Sequence, residues 1–472
     1  MNFYSKTLFL DQFTPVSIYE KVKNLYKNEI TFLFESTINS SNNGNFSYII
    51  IGVRERIWYK DNSCYFLGEN GKTDVIENNP LKFLQKYYKK FDKEIYKTKA
   101  NELGIGLIDG FIGNIAYDIS KEFEPKLKAS MQNLKDELNI ADFDLIRPNI
   151  VLAYSHKTSK LIIITSVEKY QNDLEILEDE LLKPYSYTLL KKAKILDKGK
   201  FEHSKDEFFS MLEKSKEMIK SGDIFQILIS NRFVQSAIVD HFSFYRALRS
   251  KNPSKYLYFL EFENFSIVGS SPEAMVRLNN GHIFLSPIAG SRKRGSTLQE
   301  DLEMEKELIH DEKEKAEHLM LVDLGRNDIG RVAKYGSVKV TDFMRIERYS
   351  HIMHIVSDIE ALLDEKYDMF DLFMAVFTAG TMTGTPKIRA MELIAQFEGL
   401  KRSFYSGSVA YFGFDGNMDS AITIRTTMLT KDKVIFHAGA GIVADSKNEY
   451  EYLEVQSKLA ANITTLKDLS LS

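Results

Sequence analysis

Short runs of β-branched and aromatic residues follow one another along this chain, each closed by Asn, Ser, Gly or Pro, without strict alternation with helices. Runs of this kind pair as antiparallel strands, because a hairpin needs a few turn residues whereas a parallel pair needs a long crossover. TFLFES at 31–36 and FSYIII at 46–51 flank a polar loop at 39–44, and IVLAY at 150–154 with KLIIIT at 160–165 reads as a hairpin. FIGNIAY at 111–117 is a strand whose small residues predict close packing on a neighbour. Further strands are predicted at 225–233, 256–261, 265–269, 282–286, 407–413, 420–427 and 434–438. Helical spacing marks 168–182, 297–320, 369–377 and 387–397. The class these patterns predict is α+β with mostly antiparallel sheet.

A change of composition divides the chain. Lys183, Lys191, Lys192, Lys194, Lys198 and Lys200 fall between 183 and 204, a stretch read as a linker between an N-terminal domain (1–182) and a second domain (205–466). The second domain opens on Ser204-Lys-Asp-Glu207, a capping box in which hydroxyl and carboxylate close the first helical turn. Phe208, Met211, Leu212 and Ile219 form that helix's apolar stripe, and Gly222 ends it.

Several functions are excluded by charge and composition. A net charge of −4 and a pI near 6.2 argue against a nucleic-acid or anionic-membrane surface as main partner. The first residues break their apolar run too early for a signal peptide, and no span of about 18 apolar residues occurs. Cys64, the single cysteine, rules out an intrachain disulfide and a multi-cysteine zinc site. A cytoplasmic protein is expected.

Chemistry concentrates at a few places. HAGAG at 437–441 reads as a strand running into a glycine-spaced turn, followed by a helix opened by Asp445 or Ser446. Small residues there let backbone N–H groups approach an anion. On that helix Glu451, Glu454 and Lys458 share one side, and Glu314 with Glu317 forms a second Glu-x-x-Glu. Each pair is equally a solvated helix face; facing each other across a cleft they would share a hard cation with a carboxylate substrate. Glu273, after a strand and beside Pro272, suits a desolvated general acid, or an ordinary turn glutamate. FTAGTMTGTPK at 377–387 is a small-residue loop feeding a helix, an anion cradle by composition but not a Walker A loop. GKT at 71–73 lacks the first glycine of that motif and reads as a polar turn. His354 is either a core histidine or a functional one. Arg425, in the apolar, β-branched run ITIRTT, has no acid close in sequence, so a substrate carboxylate would serve as its partner.

Taken together, SPIAGS at 286–291, LVDLGRND at 321–328, AGTMTG at 379–384 and GAGIVADS at 439–446 resemble the chorismate-utilising enzymes, most nearly the anthranilate synthase component I family. The likeness runs through 205–465 and reaches LDQFTPV at 10–16 and FLFES at 32–36. It implies large, mostly antiparallel sheets packed face to face and flanked by helices, with a smaller N-terminal regulatory part against the chorismate-binding core. It also implies that ammonia adds to chorismate at C2 as the 4-hydroxyl leaves, and that pyruvate is then eliminated to give anthranilate. By this resemblance Glu273, His354 and Thr381 fall at catalytic positions. Ser291, Tyr405, Arg425, Gly439, Gly441 and Lys458 fall where substrate is held. Glu317 and Glu454 match the ligands of Mg²⁺, with Glu314 and Glu451 beside them.

Two positions separate branches of the family. Water-adding members place a lysine base where Gln226 stands, and aminodeoxychorismate synthases usually place a lysine where Ala289 stands. Anthranilate is therefore the expected product, with aminodeoxychorismate synthase component I as the alternative reading. Ammonia would come from a separate glutamine amidotransferase subunit, because Cys64 has no histidine nearby. The resemblance also implies a tryptophan feedback site built from Glu35, Ser36, Asn252, Pro253, Ser254 and Tyr256, with Lys255 and Leu257 departing from the family's usual residues.

Overall fold

The computed structural model describes residues 2–36, 46–77, 79–348 and 352–471, so the polar loop predicted at 39–44 lies outside the described residues. Among them, two large sheets carry the fold, with all the strand pairings antiparallel. Through its middle the first sheet runs Ile150–Ser155, Phe46–Ile51, Thr31–Ser36, Tyr256–Glu261, Phe265–Ser271, Thr426–Thr430, Lys433–Ile442 and Gln226–Ile238. The second runs Ile352–Leu362, His282–Leu285, Ala274–Asn279, Met418–Ile422, Ser408–Gly413, Gly110–Ile115, Phe143–Arg147 and Glu55–Lys60.

Period-two burial explains the layering. Phe32, Ile50, Tyr258 and Ile267 of the first sheet share one buried cluster with Ile57, Ile112, Leu145 and Val276 of the second, so the two sheets pack face to face. Their sequence neighbours Leu33, Ile49, Leu257 and Val268 point the other way, into a cluster with residues of helices Pro15–Leu25, Asp173–Leu182, Lys205–Lys220, His241–Lys251, Lys387–Glu398 and Asn448–Leu471. Both sheets run through the 183–204 boundary. Thr31–Ser36 pairs with Tyr256–Glu261, and Gly110–Ile115 pairs with Ser408–Gly413. The close packing expected of the second strand is present: a Cβ on Gly110 would stand 2.1 Å from the Phe412 carbonyl, and one on Gly113 would stand 2.2 Å from that of Asp144. The stretch read as a linker lies along an edge, where Lys194–Ile195 and Lys200–Phe201 pair with Gln226–Ile238.

The Ser204–Glu207 capping box forms as read. Three local expectations are corrected. The helix predicted over 297–320 is two helices, Leu298–His310 and Glu312–Gly330, because the Asp311 carboxylate accepts from the N–H groups of Lys313 and Glu314 and starts a new helix. The strand predicted over 420–427 is two strands in different sheets, Met418–Ile422 and Thr426–Thr430. The glycine-spaced turn at 438–441 is instead the continuation of the strand Lys433–Ile442, and the last helix begins at Asn448. Gly439 serves close strand packing there: a Cβ would meet Leu228 Cδ2 at 2.6 Å and the Ile229 carbonyl at 2.8 Å. Among the described residues no helix is long and apolar enough to cross a membrane.

Candidate active site

Two neighbouring segments cross between the sheets at the same level in opposite directions, and the site is built where they cross. Phe265–Ser271 passes through Glu273 into Ala274–Asn279, while Met418–Ile422 passes through Arg425 into Thr426–Thr430. The crossings are tied together, since Ser270 N–H donates to the Arg425 carbonyl (3.2 Å) and Ile422 N–H donates to the Glu273 carbonyl (3.0 Å). Arg425 takes φ of +52°, a left-handed conformation that non-glycine residues seldom adopt. The sharp change of direction between sheets needs it.

Glu273 is 7% exposed. Burial pushes its carboxyl up to about 7, against the opposing pull of a hydrogen bond from Thr381 and the charges of Arg425 and Lys255. Thr381 Oγ1 donates to Glu273 Oε1 at 3.1 Å. The threonine sits on a short 3₁₀ turn, Gly380–Met382, in the small-residue loop; a Cβ on Gly380 would lie 1.8 Å from Leu324 Cδ2. Glu273 and Thr381 line a cavity of about 30 Å³ with Pro287, Leu321, Leu324 and Asp328.

Arg425 is half-buried, and its guanidinium makes no hydrogen bond or ion pair among the described residues. Burial lowers its pKa, and the charges of Tyr405, Glu454 and Glu273 act on it in the opposite sense. Tyr405 is buried, its hydroxyl pushed up to about 12 by desolvation, and its ring stacks on His437 at 4.2 Å. A guanidinium flanked in this way is ready for a carboxylate ligand.

His354 stands on the strand Ile352–Leu362, opposite Ser291 on Ile288–Lys293. Its Nδ1 lies 2.9 Å from the Gly290 carbonyl. A carbonyl only accepts, so Nδ1 carries the proton and Nε2 is the basic nitrogen. Burial lowers this histidine's pKa and keeps it neutral. Ser291 is exposed and Ala289 is buried.

The two Glu-x-x-Glu pairs lie on helices Glu312–Gly330 and Asn448–Leu471. Burial raises the pKa of Glu317, and the charges of Glu314 and Glu454 raise it further, so carboxylates from both helices come within electrostatic reach. Glu451 is raised by burial and by Glu454. Among the described residues no three His, Cys, Asp or Glu side chains converge into a metal cage. A pair of mutually repelling carboxylates fits Mg²⁺, which takes one or two carboxylates and fills its remaining positions with water and substrate oxygen. Gln226 Nε2 donates to Glu317 Oε1 at 3.3 Å and lies 2.9 Å from where a Cβ on Gly441 would be. Lys458 pairs with Glu454 at 2.5 Å and donates to the Gly439 carbonyl at 2.8 Å.

Of the predicted regulatory residues, Glu35, Ser36 and Tyr256 lie on one strand pair, where Ser36 faces Tyr256 and Glu35 faces Leu257, while Asn252, Pro253 and Ser254 lead into it. Ser254 is buried, and the Asn252 carbonyl accepts from the Ser270 hydroxyl; Pro253 is exposed. The buried Glu35 carboxylate already holds Arg249 (Nε at 2.7 Å, Nη2 at 2.9 Å) and the Tyr245 hydroxyl (2.5 Å). Arg249 was not singled out from sequence, and neither was Arg292, which pairs with Glu314 at 3.2 Å. Arg249 is far from Glu35 in the chain, and its helix shows only an ordinary amphipathic pattern, so no local signal pointed to the contact.

Comparison with known proteins places this arrangement. Residues 32–464 match the profile of the family described as chorismate binding enzyme. The chain is 40% identical over 471 residues to anthranilate synthase component 1 of Aquifex aeolicus, covering 96% of this chain and 92% of the relative. The crystal structure of anthranilate synthase component I from Streptococcus pneumoniae superposes with a TM-score of 0.77 at 33% identity, covering 90% of this chain and 94% of that one. The menaquinone-specific isochorismate synthase MenF of Escherichia coli shares the fold (TM-score 0.74, 16% identity, 98% and 95% covered).

Proposed function

This chain belongs to the chorismate binding enzyme family, and we propose that it is an anthranilate synthase large subunit, converting chorismate and ammonia to anthranilate and pyruvate in the cytoplasm. The observation that carries the reading is Glu273, a buried carboxyl held near pKa 7 beside Arg425, whose guanidinium has no side-chain partner among the described residues. Arg425, with Tyr405 beside it, receives one chorismate carboxylate, and Lys458 and the backbone at Gly439 and Gly441 line the other side with Ser291 at the rim. As the nitrogen of ammonia bonds to C2 the ring double bonds shift and the C4–O bond breaks; protonated Glu273, steadied by Thr381, gives its proton so that the oxygen leaves as water, and the new C2 ammonium releases one proton to solvent. His354 Nε2 then takes the C2 proton as the ring C3–O bond breaks, and the departing enolpyruvate takes up a proton at its methylene carbon, leaving anthranilate and pyruvate.

Glu317 and Glu454, with Glu314 and Glu451 behind them, would hold Mg²⁺. The ion supplies positive charge for the substrate's second carboxylate. Gln226 cannot deprotonate water as a lysine would, which supports amination over hydration. Cys64 is buried and its thiol is pushed up to about 12, so the chain has no thiolate for glutamine hydrolysis. A glutamine amidotransferase subunit therefore supplies the ammonia. Tryptophan binding between Glu35–Ser36 and Asn252–Tyr256 would regulate the enzyme, its ammonium competing with Arg249 for Glu35. The N-terminal part (1–182) supplies the first half of that site and 205–466 the second.

The test is identification of products from chorismate, Mg²⁺ and ammonium. Anthranilate and pyruvate in equal amounts, both lost on adding EDTA, are expected. An aminated product that retains its enolpyruvyl group would contradict the reading and indicate an aminodeoxychorismate synthase.

A further inference from the structure

Between Glu273 and His354 runs an ion pair that joins the two sheets. Lys255 immediately precedes the strand Tyr256–Glu261 of the first sheet, and Tyr256 is paired with Ser271, two residues before Glu273. The Asn252 carbonyl accepts from the Ser270 hydroxyl, so 252–255 lies along the segment that carries Glu273 from one sheet to the other. Lys255 Nζ lies 2.7 Å from Glu347 Oε2, on the strand Lys339–Arg348 of the second sheet. Glu347 is in turn the cross-strand partner of His354. Residues paired directly across antiparallel strands project from the same face with Cβ atoms about 4.5–5.5 Å apart. His354 is therefore flanked by Ser291 on one neighbouring strand and Glu347 on the other.

An isolated surface ion pair contributes little, whereas one fixed in a network of charges holds its geometry. The side chains of Lys255 and Glu347 are 25% and 23% exposed, so water screens their contact only in part. Glu347 Oε1 accepts from Arg345 Nη2 (2.7 Å), and Arg345 Nη1 donates to Asp358 (2.6 Å). Asp358 also accepts from the Ser286 hydroxyl (2.6 Å), and Ser286 lines the cavity of Glu273 and Thr381. The charges act on both reacting groups. Burial raises the Glu273 carboxyl, and Thr381, Arg425 and Lys255 pull it back. Burial lowers His354, with Arg425 and Lys458 acting in the same sense and the Gly290 carbonyl and Glu347 against it.

The two steps of the reaction ask different things of this frame. Amination with loss of the C4 oxygen uses Glu273, whereas elimination needs His354 Nε2 at the C2 proton. A histidine displaced by about 1 Å slows the second step and leaves the first untouched. We propose that Lys255 is a positioning residue for the elimination: through Glu347 it holds the His354 strand at a fixed offset from the segment carrying Glu273, so that the base reaches C2 before the aminated intermediate leaves. The proposal rests on the reading above of amination followed by elimination.

The test follows the full chain with chorismate, Mg²⁺ and ammonium chloride, without tryptophan. Chromatography with mass detection measures how consumed chorismate divides between anthranilate and released aminated intermediate. Lys255→Met keeps the length of the stem and removes the ammonium; Lys255→Arg keeps a cation. Lys255→Met is expected to lower kcat for anthranilate by about tenfold or more and to release intermediate that the unsubstituted chain retains, with KM for chorismate unchanged. Lys255→Arg should restore the original division. Glu347→Gln should divide its products as Lys255→Met does, and the double variant should be no worse than either, as for two partners of one contact. If Lys255→Met does not fold, Glu347→Gln carries the test. Anthranilate from the unsubstituted chain with no intermediate released by either variant would overturn the positioning role alone. So would an equal slowing of both steps, the mark of a merely structural pair. Absence of anthranilate from the unsubstituted chain would overturn the functional reading and this role with it.

Discussion

At the scale of single residues, Glu273 links stability to chemistry. Its folded-state pKa of about 7 lies above the ordinary 4.5, so between these values the folded chain keeps a proton that the unfolded chain releases. Stability from this group therefore falls as pH rises through that window, and above it the ionised carboxylate costs on the order of 3 kcal/mol. Thermal melts of Glu273→Gln against the unsubstituted chain should show no difference near the lower value and a higher midpoint for the variant at pH about 8. The same proton sets activity. At constant neutral ammonia, kcat/KM for chorismate should fall above about 7, the value burial imposes. For Arg425, half-buried and without a side-chain partner among the described residues, a lysine keeps the charge and loses the planar fork. Arg425→Lys should raise KM for chorismate by about tenfold or more, read from initial rates.

At the scale of elements, β-branched and aromatic runs closed by Asn, Ser, Gly or Pro made most strands legible, and Ser204–Glu207 located a helix start to the residue. The places where strands change sheets were not legible. ITIRTT is as β-branched as any strand here, yet the chain turns within it, because the turn is imposed by tertiary packing of two sheets and leaves no glycine behind. The same limit hid the Glu35–Arg249 contact, which joins residues distant in sequence. Conversely, GAG at 439–441 reads as a turn, while the structure uses glycine for close approach of strands, a distinction that only the neighbour strand makes. Gly439→Ala should press a methyl group into Leu228 and the Ile229 carbonyl, lowering stability by about 1–3 kcal/mol in denaturant melts and reducing turnover with it.

At the scale of the whole molecule, the two sheets are sewn through both halves of the chain, so residues on either side of 183–204 share one framework. Cutting at 183–204 should leave neither fragment folded alone, whereas coexpressed fragments should restore activity, since each half supplies strands the other must pair. Arg249→Gln should release Glu35 for the tryptophan ammonium and lower the inhibitory tryptophan concentration, leaving the uninhibited rate unchanged; equal inhibition in both proteins would show that Glu35 is not the contact. A buried, protonated Glu273 is expected to drive the ammonia-dependent lyase reaction. The most direct test is anthranilate formed per chorismate consumed, by the purified chain with Mg²⁺ and ammonium, with Glu273→Gln alongside. One anthranilate per chorismate is expected, with a loss of about 10²-fold or more in the variant. Undiminished anthranilate formation by Glu273→Gln would contradict it.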